Sequence, residues 1–198
     1  MGITSKSIEL IEKALKLVDV KEVMELGAQN MFDKSYEGIK HEGQHSAQPF
    51  ASEFYKAKGI AYNCIDLNGE NNAFVYDLSE PIPHEKQYRL VTDFGTGEHV
   101  KSAYNVFKNI HNLLEEGGVA IRENPKTGSW EGHGCNYMTK EIYNQLAELQ
   151  GYKIIELYEH AAMGNEIDGW LICCAYQKMN DFEFISEETF NQLNTPKE

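Results

Sequence analysis

KIIELYEHAAMGNEIDGWLICCAYQ, Lys153 to Gln177, holds two apolar runs with too little chain between them for anything but a reversal. KIIELYE and GWLICCAYQ are rich in β-branched and aromatic residues, and AAMGNEID between them is too short for a crossover helix. The two runs therefore pair antiparallel. Upstream, runs of strand character alternate with runs of helical period, which argues for a parallel sheet covered by helices on both faces. The expected architecture is α/β: a doubly wound, mostly parallel seven-stranded sheet ending in an antiparallel hairpin.

Working back from the hairpin, MTKEIYNQLAELQGY reads as a helix capped by Thr139. VAIREN is the fifth strand, entered through the paired glycines of KSAYNVFKNIHNLLEEGG, a helix with Ala103, Val106, Phe107, Ile110, Leu113 and Leu114 on one face. YRLVTDFG, AFVYDLSEPIP and AYNCIDLNGE read as the fourth, third and second strands, the third stopped by Pro81 and Pro83. HSAQPFASEFYKAKG is a helix ending on Gly59. The polar segment 30–46 before it reads as a lid or substrate loop, since loops of that length are usually functional or disordered. KEVMELGAQN is the first strand, ending at Gly27. SKSIELIEKALKLV is a helix capped by Thr4 or Ser5, with Ile8, Ile11, Leu15 and Val18 facing inward. Residues 1–178 form one domain, and 179–198 are an extension with a short helix that packs on its own domain or on a second subunit, which leaves a homodimer open.

Bulk properties narrow the function. A chain of 198 residues with 41% hydrophobic and 25% charged residues has enough apolar material for one core. Its net charge of −13 and lack of a Lys/Arg cluster argue against nucleic acid and anionic membranes as partners. No apolar run reaches the roughly 18–20 residues of a membrane span, and the start of the chain has no signal-peptide pattern. The Met1-Gly2 start lacks the rest of a myristoylation motif, because Lys6 stands where Ser or Thr is needed. The expected location is cytoplasmic. Cys64, Cys173 and Cys174 fall in strand-like runs and, with Cys135, form no C-x-x-C, so reduced thiols are expected.

VMELGAQ, AYNCIDLN, FVYDLSEPIP, LVTDFGTGEHV and LLEEGGVAI, in that order, resemble the motifs of class I S-adenosylmethionine-dependent methyltransferases. The GT-x-EHV group and W-x-GHG-x-NY are also similar to a less-characterised branch of that family. The likeness spans Val23 to Gln177. It implies S-adenosyl-L-methionine as cofactor, held by Glu25, Gly27, Ala28, Gln29, Asp66, Leu67, Asp77, Leu78, Asp93, Phe94 and Gly95. In it Asp66 accepts from the ribose hydroxyls, Asp77 from the adenine amino group, Leu78 packs on the ring, and Asp93, Phe94 and Gly95 line the methionine end. One departure is plain. The E-x-G-x-G-x-G run of the family is reduced here to Glu25-Leu26-Gly27-Ala28-Gln29-Asn30, and Gln29 is expected to reach the methionine carboxylate instead. A second is spacing: Asp66 follows Gly27 at nearly twice the separation of about 20 residues found in a compact dinucleotide-binding unit.

The implied reaction is methyl transfer to a small-molecule acceptor. A histidine base suits it, because imidazole titrates near operating pH. His133 and then His99 are the candidates, with Glu98 as orienting partner, although an acid at Glu98 also fits an ordinary helix start. Trp130 and Tyr137 are expected to wall the acceptor pocket, and His111, in mid-helix, is expected to be structural. His41 and His45 flank Glu42 without a third ligand, so no metal is assigned. The rival reading is a methyltransferase-like ligand-binding or interaction module without catalysis. A nicotinamide enzyme is disfavoured, since GAQNMF lacks G-x-G-x-x-G, and DFGT is not the N/D-P-P-Y/F run of a nucleic-acid methyltransferase.

Overall fold

The computed structural model describes residues 2–33, 48–162 and 169–193. Most of the expected lid, with His41 and His45, lies outside them. The helices are α1 (Ser5–Leu17), α2 (Ala51–Ala57), α3 (Ala103–Leu113), α4 (Lys140–Gln150) and α5 (Glu187–Leu193). The strands are β1 (Glu22–Leu26), β2 (Ala61–Ile65), β3 (Tyr88–Phe94), β4 (Leu114–Pro125), β5 (Lys153–Ala161) and β6 (Trp170–Gln177). They form one sheet in the order β2-β1-β3-β4-β6-β5, parallel except where β6 runs against both its neighbours. No described helix is long and apolar enough to cross a membrane.

The sheet has six strands among the described residues, against the seven expected. The missing one is AFVYDLSEPIP. Among the described residues its ladder pairing with the sheet is a single isolated bridge between Phe74 and Ile65. Asn71 and Asn72 before it sit at φ of 54° and 57°, a left-handed turn that swings the chain off the sheet edge, and Pro81 and Pro83 have no N–H to donate to a ladder. The alternating aromatics that mimic a strand stack on each other instead, Phe74 on Tyr76 with centroids 5.9 Å apart.

Strand alternation divides the core in two. On one face Met24, Val91, Ala120 and Cys174 pack under α3, α4 and α5, with Phe190 of α5 against Phe107. On the other, Val23, Leu90, Ile121 and Cys173 pack under α1 and α2. Helix α1 begins with a capping box in which Thr4 and Ser7 exchange side-chain and backbone hydrogen bonds. Its buried face is Ser7, Leu10, Ile11 and Ala14, one step round from the expected Ile8–Leu15 stripe. The small Ser7 and Ala14 let the helix approach the sheet closely, and Ile8 and Leu15 flank the contact half-buried.

The same alternation buries charge. Asp93 points into the α3/α4 face, where Arg122 donates to it through Nε and Nη2 at 3.0 and 2.8 Å. The guanidinium also lies 3.9 Å from the Phe107 ring centroid. Glu25 points into the α1/α2 face, taking hydrogen bonds from Tyr62 at 2.5 Å and Thr92 at 3.2 Å. Burial pushes the Glu25 carboxyl up to about 8 from its ordinary 4.5. A carboxyl raised on folding contributes stability that is complete below its unfolded value and lost as pH rises through the folded one. Stability should therefore fall between about pH 5 and pH 8, by roughly 1.4 kcal/mol per unit from this group. Glu25→Gln should flatten that slope in thermal unfolding measured across the range; an unchanged slope would place its source elsewhere.

Candidate active site

The chain leaves β1 for β2 on one side and returns to β3 on the other, so the sheet switches direction between β1 and β3. Ligands of open α/β sheets bind outside the carboxyl ends of the strands at such a switch. A cleft of about 310 Å³ opens there. Asp66, Leu67, Asp77 and Leu78 line one side, and Thr96 and His99 the other. Asp66 bridges the strand ends: one carboxylate oxygen accepts from the Ala28 N–H at 2.9 Å, the other from the Asn68 N–H at 3.1 Å. Asp77 accepts from the Ser79 N–H and hydroxyl at 2.8 and 2.7 Å, and these bonds hold its carboxyl below the usual range.

The loop after β1 turns on Gly27, at φ +82°. The turn is tight: Thr96 donates to the Leu26 carbonyl at 2.8 Å, and the Gln29 amide donates to Thr96 Oγ1 at 2.6 Å. Gln29 is thus folded back against its own loop and buried, where the sequence reading had it reaching outward.

Downstream of β3 the single turn Gly97–His99 carries the junction. Asp93, turned inward, accepts from the Thr96 and Gly97 N–H groups at 3.1 and 2.9 Å and fixes this turn from below. Glu98 is fully buried. Asn124 donates to its Oε2 at 3.0 Å, while Oε1 stands 3.9 Å from His99 Nε2 and 4.0 Å from His133 Nε2. Burial first, then the charge of Asp93, pushes the Glu98 carboxyl up to about 7. Burial and the neighbouring His133 push His99 down.

The loop bearing His133 is docked onto that turn. The Glu98 carbonyl accepts from the N–H groups of Cys135 and Asn136 at 2.6 and 3.0 Å, and a Cβ on Gly134 would come within 2.7 Å of the same oxygen. Tyr137 ties the loop shut, accepting from the His133 and Gly134 N–H groups and donating to the Trp130 carbonyl at 2.7 Å. Trp130 sits at φ +58°, a conformation that non-glycine residues adopt under local constraint, and its ring packs 4.9 Å from that of His133.

Trp130 also lines a second cavity of about 660 Å³, with Phe32, Leu171, Glu123 and His160. Glu123 accepts from the Cys173 thiol at 3.1 Å and from Ser7 at 3.4 Å, and lies 3.5 Å from His160. The Glu123 carboxylate raises the His160 pKa, and burial pushes the Cys173 thiol well up.

No family model and no curated protein matches the chain. Solved structures do. The N-methyltransferase NodS from Bradyrhizobium japonicum superposes with a TM-score of 0.59 at 10% identity, over 87% of this chain and 94% of that one. The same enzyme in complex with S-adenosyl-L-homocysteine gives 0.56 at 11% identity, over 89% of each. Burkholderia thailandensis 1,6-didemethyltoxoflavin-N1-methyltransferase, with bound 1,6-didemethyltoxoflavin and S-adenosylhomocysteine, gives 0.59 at 12%, over 89% and 78%. This is the class I methyltransferase fold.

On the methyltransferase fold the expected residues separate into two groups. Asp66, Leu67, Asp77 and Leu78 meet at the cleft, joined to Ala28 through the Asp66 carboxylate and to Gly27 through its N–H to the Ile65 carbonyl, and Glu98, His99 and His133 meet beside it. Glu25, Asp93 and Phe94 are turned into the core instead, and Tyr137 closes its own loop. Tyr76, Thr96 and Lys101 at the cleft were not singled out in the sequence, nor were Asn124, Glu123 and His160. Tyr76 and Thr96 had a signal, since they stand within motifs already noted. His111 is structural: its ring bonds Tyr152 Oη at 2.6 Å and the Phe182 carbonyl at 2.8 Å.

Proposed function

We propose that this protein transfers the methyl group of S-adenosylmethionine to a small-molecule acceptor. The observation that carries the reading is the pairing of two cavities across one junction. The cleft at the switch point has two carboxylates beside apolar Leu67 and Leu78, as a nucleoside requires. The larger, mainly apolar cavity borders the same junction through Trp130, whose ring packs against that of His133.

In this reading Asp66 holds the ribose hydroxyls with the lone pairs left free by Ala28 and Asn68, and Asp77 meets the adenine edge. Leu67 and Leu78 cover the ring faces. When bound, the cofactor supplies a methyl group already activated by its positive sulfur. The chain then contributes chiefly position and exclusion of water. Trp130 and Phe32 hold an acceptor's apolar body, and the histidine pair over Glu98 takes up the proton that the attacking atom sheds.

One feature favours a ligand-binding module without catalysis: the Gln29 amide packs into the loop where the family carries further glycines. Calorimetric titration decides between them. S-adenosylmethionine and S-adenosylhomocysteine should both bind with affinity on the order of micromolar, and Asp66→Ala should weaken binding at least tenfold, about 1.4 kcal/mol. Binding with no turnover across a panel of amine and hydroxyl acceptors would support the module; no binding by the folded protein would end the methyl-transfer reading.

A further inference from the structure

We propose that Glu98, His99 and His133 form a binding site for a divalent transition metal, with zinc the ion that the donor set suits best. The site stands on its own geometry; only its role in catalysis rests on the methyl-transfer reading. Glu98 Oε1 and one ring nitrogen from each histidine all lie within 4.8 Å of one another. Two histidines and one carboxylate form a familiar zinc and iron donor set, with metal bonds of about 2.0–2.2 Å that place tetrahedral ligands about 3.4 Å apart. Closing the observed 3.9 and 4.0 Å to that spacing needs a shift of about half an ångström, and the two histidine nitrogens, within 4.8 Å of each other, close by at most about 1.4 Å as the rings turn.

A second observation points to a ligand. Glu98 Oε1 and His133 Nε2 are buried without a hydrogen-bond partner. A fully buried carboxylate oxygen left unpaired is costly, and native structures rarely keep one without an ion or water to meet it. The surroundings hold these atoms in place for such a partner. Asn124 takes Oε2 and so leaves Oε1 directed at the histidines, an arrangement that orients a metal-binding carboxylate. The Glu98 carbonyl, Gly134 and Tyr137 lock the two contributing segments together.

Glu123, His160 and Cys173 offer another three-donor group, but there the carboxylate already accepts from Ser7 and Cys173. It serves as the control.

Three protein ligands leave at least one metal position open. His99 borders the cleft and His133 packs on Trp130 of the cavity, so an acceptor oxygen bound there would lie between the two. Such an alcohol, phenol or carboxylic acid would lose its proton to water at lower pH, so that with the ion bound the metal replaces the histidine pair in the base's role. Its oxygen would then bond to the methyl carbon as the carbon–sulfur bond breaks and that electron pair returns to sulfur.

The test uses the full chain stripped with a chelator and titrated with Zn²⁺ by calorimetry and with Co²⁺ by visible absorption. We expect one ion per chain, affinity at least tenfold weaker in His133→Ala and in Glu98→Gln, and unchanged affinity in His160→Ala. His133 lies on a half-exposed loop, and thermal unfolding checks that the variant is folded. No binding by the folded stripped protein, or equal affinity in His133→Ala, would overturn the proposal, as would loss confined to His160→Ala. S-adenosylhomocysteine titrated into the stripped protein separates the two readings: metal binding without nucleoside binding supports the metal site and removes the methyl-transfer role.

Discussion

Arg122→Met is expected to cost roughly 3–5 kcal/mol of folding stability, because it leaves the buried Asp93 carboxylate without its counter-ion. Asp93 and Arg122 are almost wholly enclosed, and the guanidinium is wedged between that carboxylate and the Phe107 ring. In a chain of this size the loss should lower the melting temperature by about 10 °C or more. The partners should not behave additively. Asp93→Leu combined with Arg122→Met should cost less than the two single changes together, by about 2 kcal/mol in urea denaturation, since no unpaired charge remains. Some loss must persist, because Asp93 also caps the Thr96 and Gly97 N–H groups. A cost for Arg122→Met below about 1 kcal/mol would show that the pair is not the buried anchor described above.

Gly27→Ala should weaken S-adenosylhomocysteine binding at least tenfold and destabilise the fold by about 2–3 kcal/mol. At φ +82° an L-residue is strained by about 1–2 kcal/mol. Its Cβ would also overlap Thr96 Oγ1 and lie 2.6 Å from Gln29 Nε2. Relief of that overlap would push Thr96 off the Leu26 carbonyl, a hydrogen bond of roughly 1 kcal/mol. The loop that positions Ala28 against Asp66 would move with it. Adding Thr96→Ala removes the overlap with the hydroxyl, frees the Gln29 amide to swing aside and leaves the backbone strain and the lost Leu26 hydrogen bond, so the double variant should recover only part of the affinity. Equal affinity in wild type and Gly27→Ala would detach this loop from the ligand site.

The order of strands and helices was legible because period and turn chemistry act locally. The hairpin from Lys153 to Gln177 gave the antiparallel end of the sheet, and the carboxyl ends of the strands then located the cleft. The extra strand at AFVYDLSEPIP was misread because Phe74 and Tyr76 alternate as strand residues do while stacking on each other. Asp93 and Glu25 matched family motifs by position, yet pleating turned them to opposite core faces, where Arg122 and Tyr62 meet them from neighbouring strands that are far away in sequence.

The junction was half legible. His99 and His133 stood out beside their glycines, but the partner that orients the buried Glu98 is Asn124 from β4, which no local pattern announces. The grouping of Glu123, His160 and Cys173 was invisible for the same reason. Their meeting follows from strand register, which sets Glu123 opposite Cys173 and brings β5 alongside.

The most direct test of the account is a crystal structure of the protein with S-adenosylhomocysteine. The ribose should lie on Asp66, the adenine between Leu67 and Leu78 near Asp77, and the sulfur should be directed at the His99–His133 junction. Nucleoside density elsewhere on the molecule, or a sulfur turned away from that junction, would contradict it.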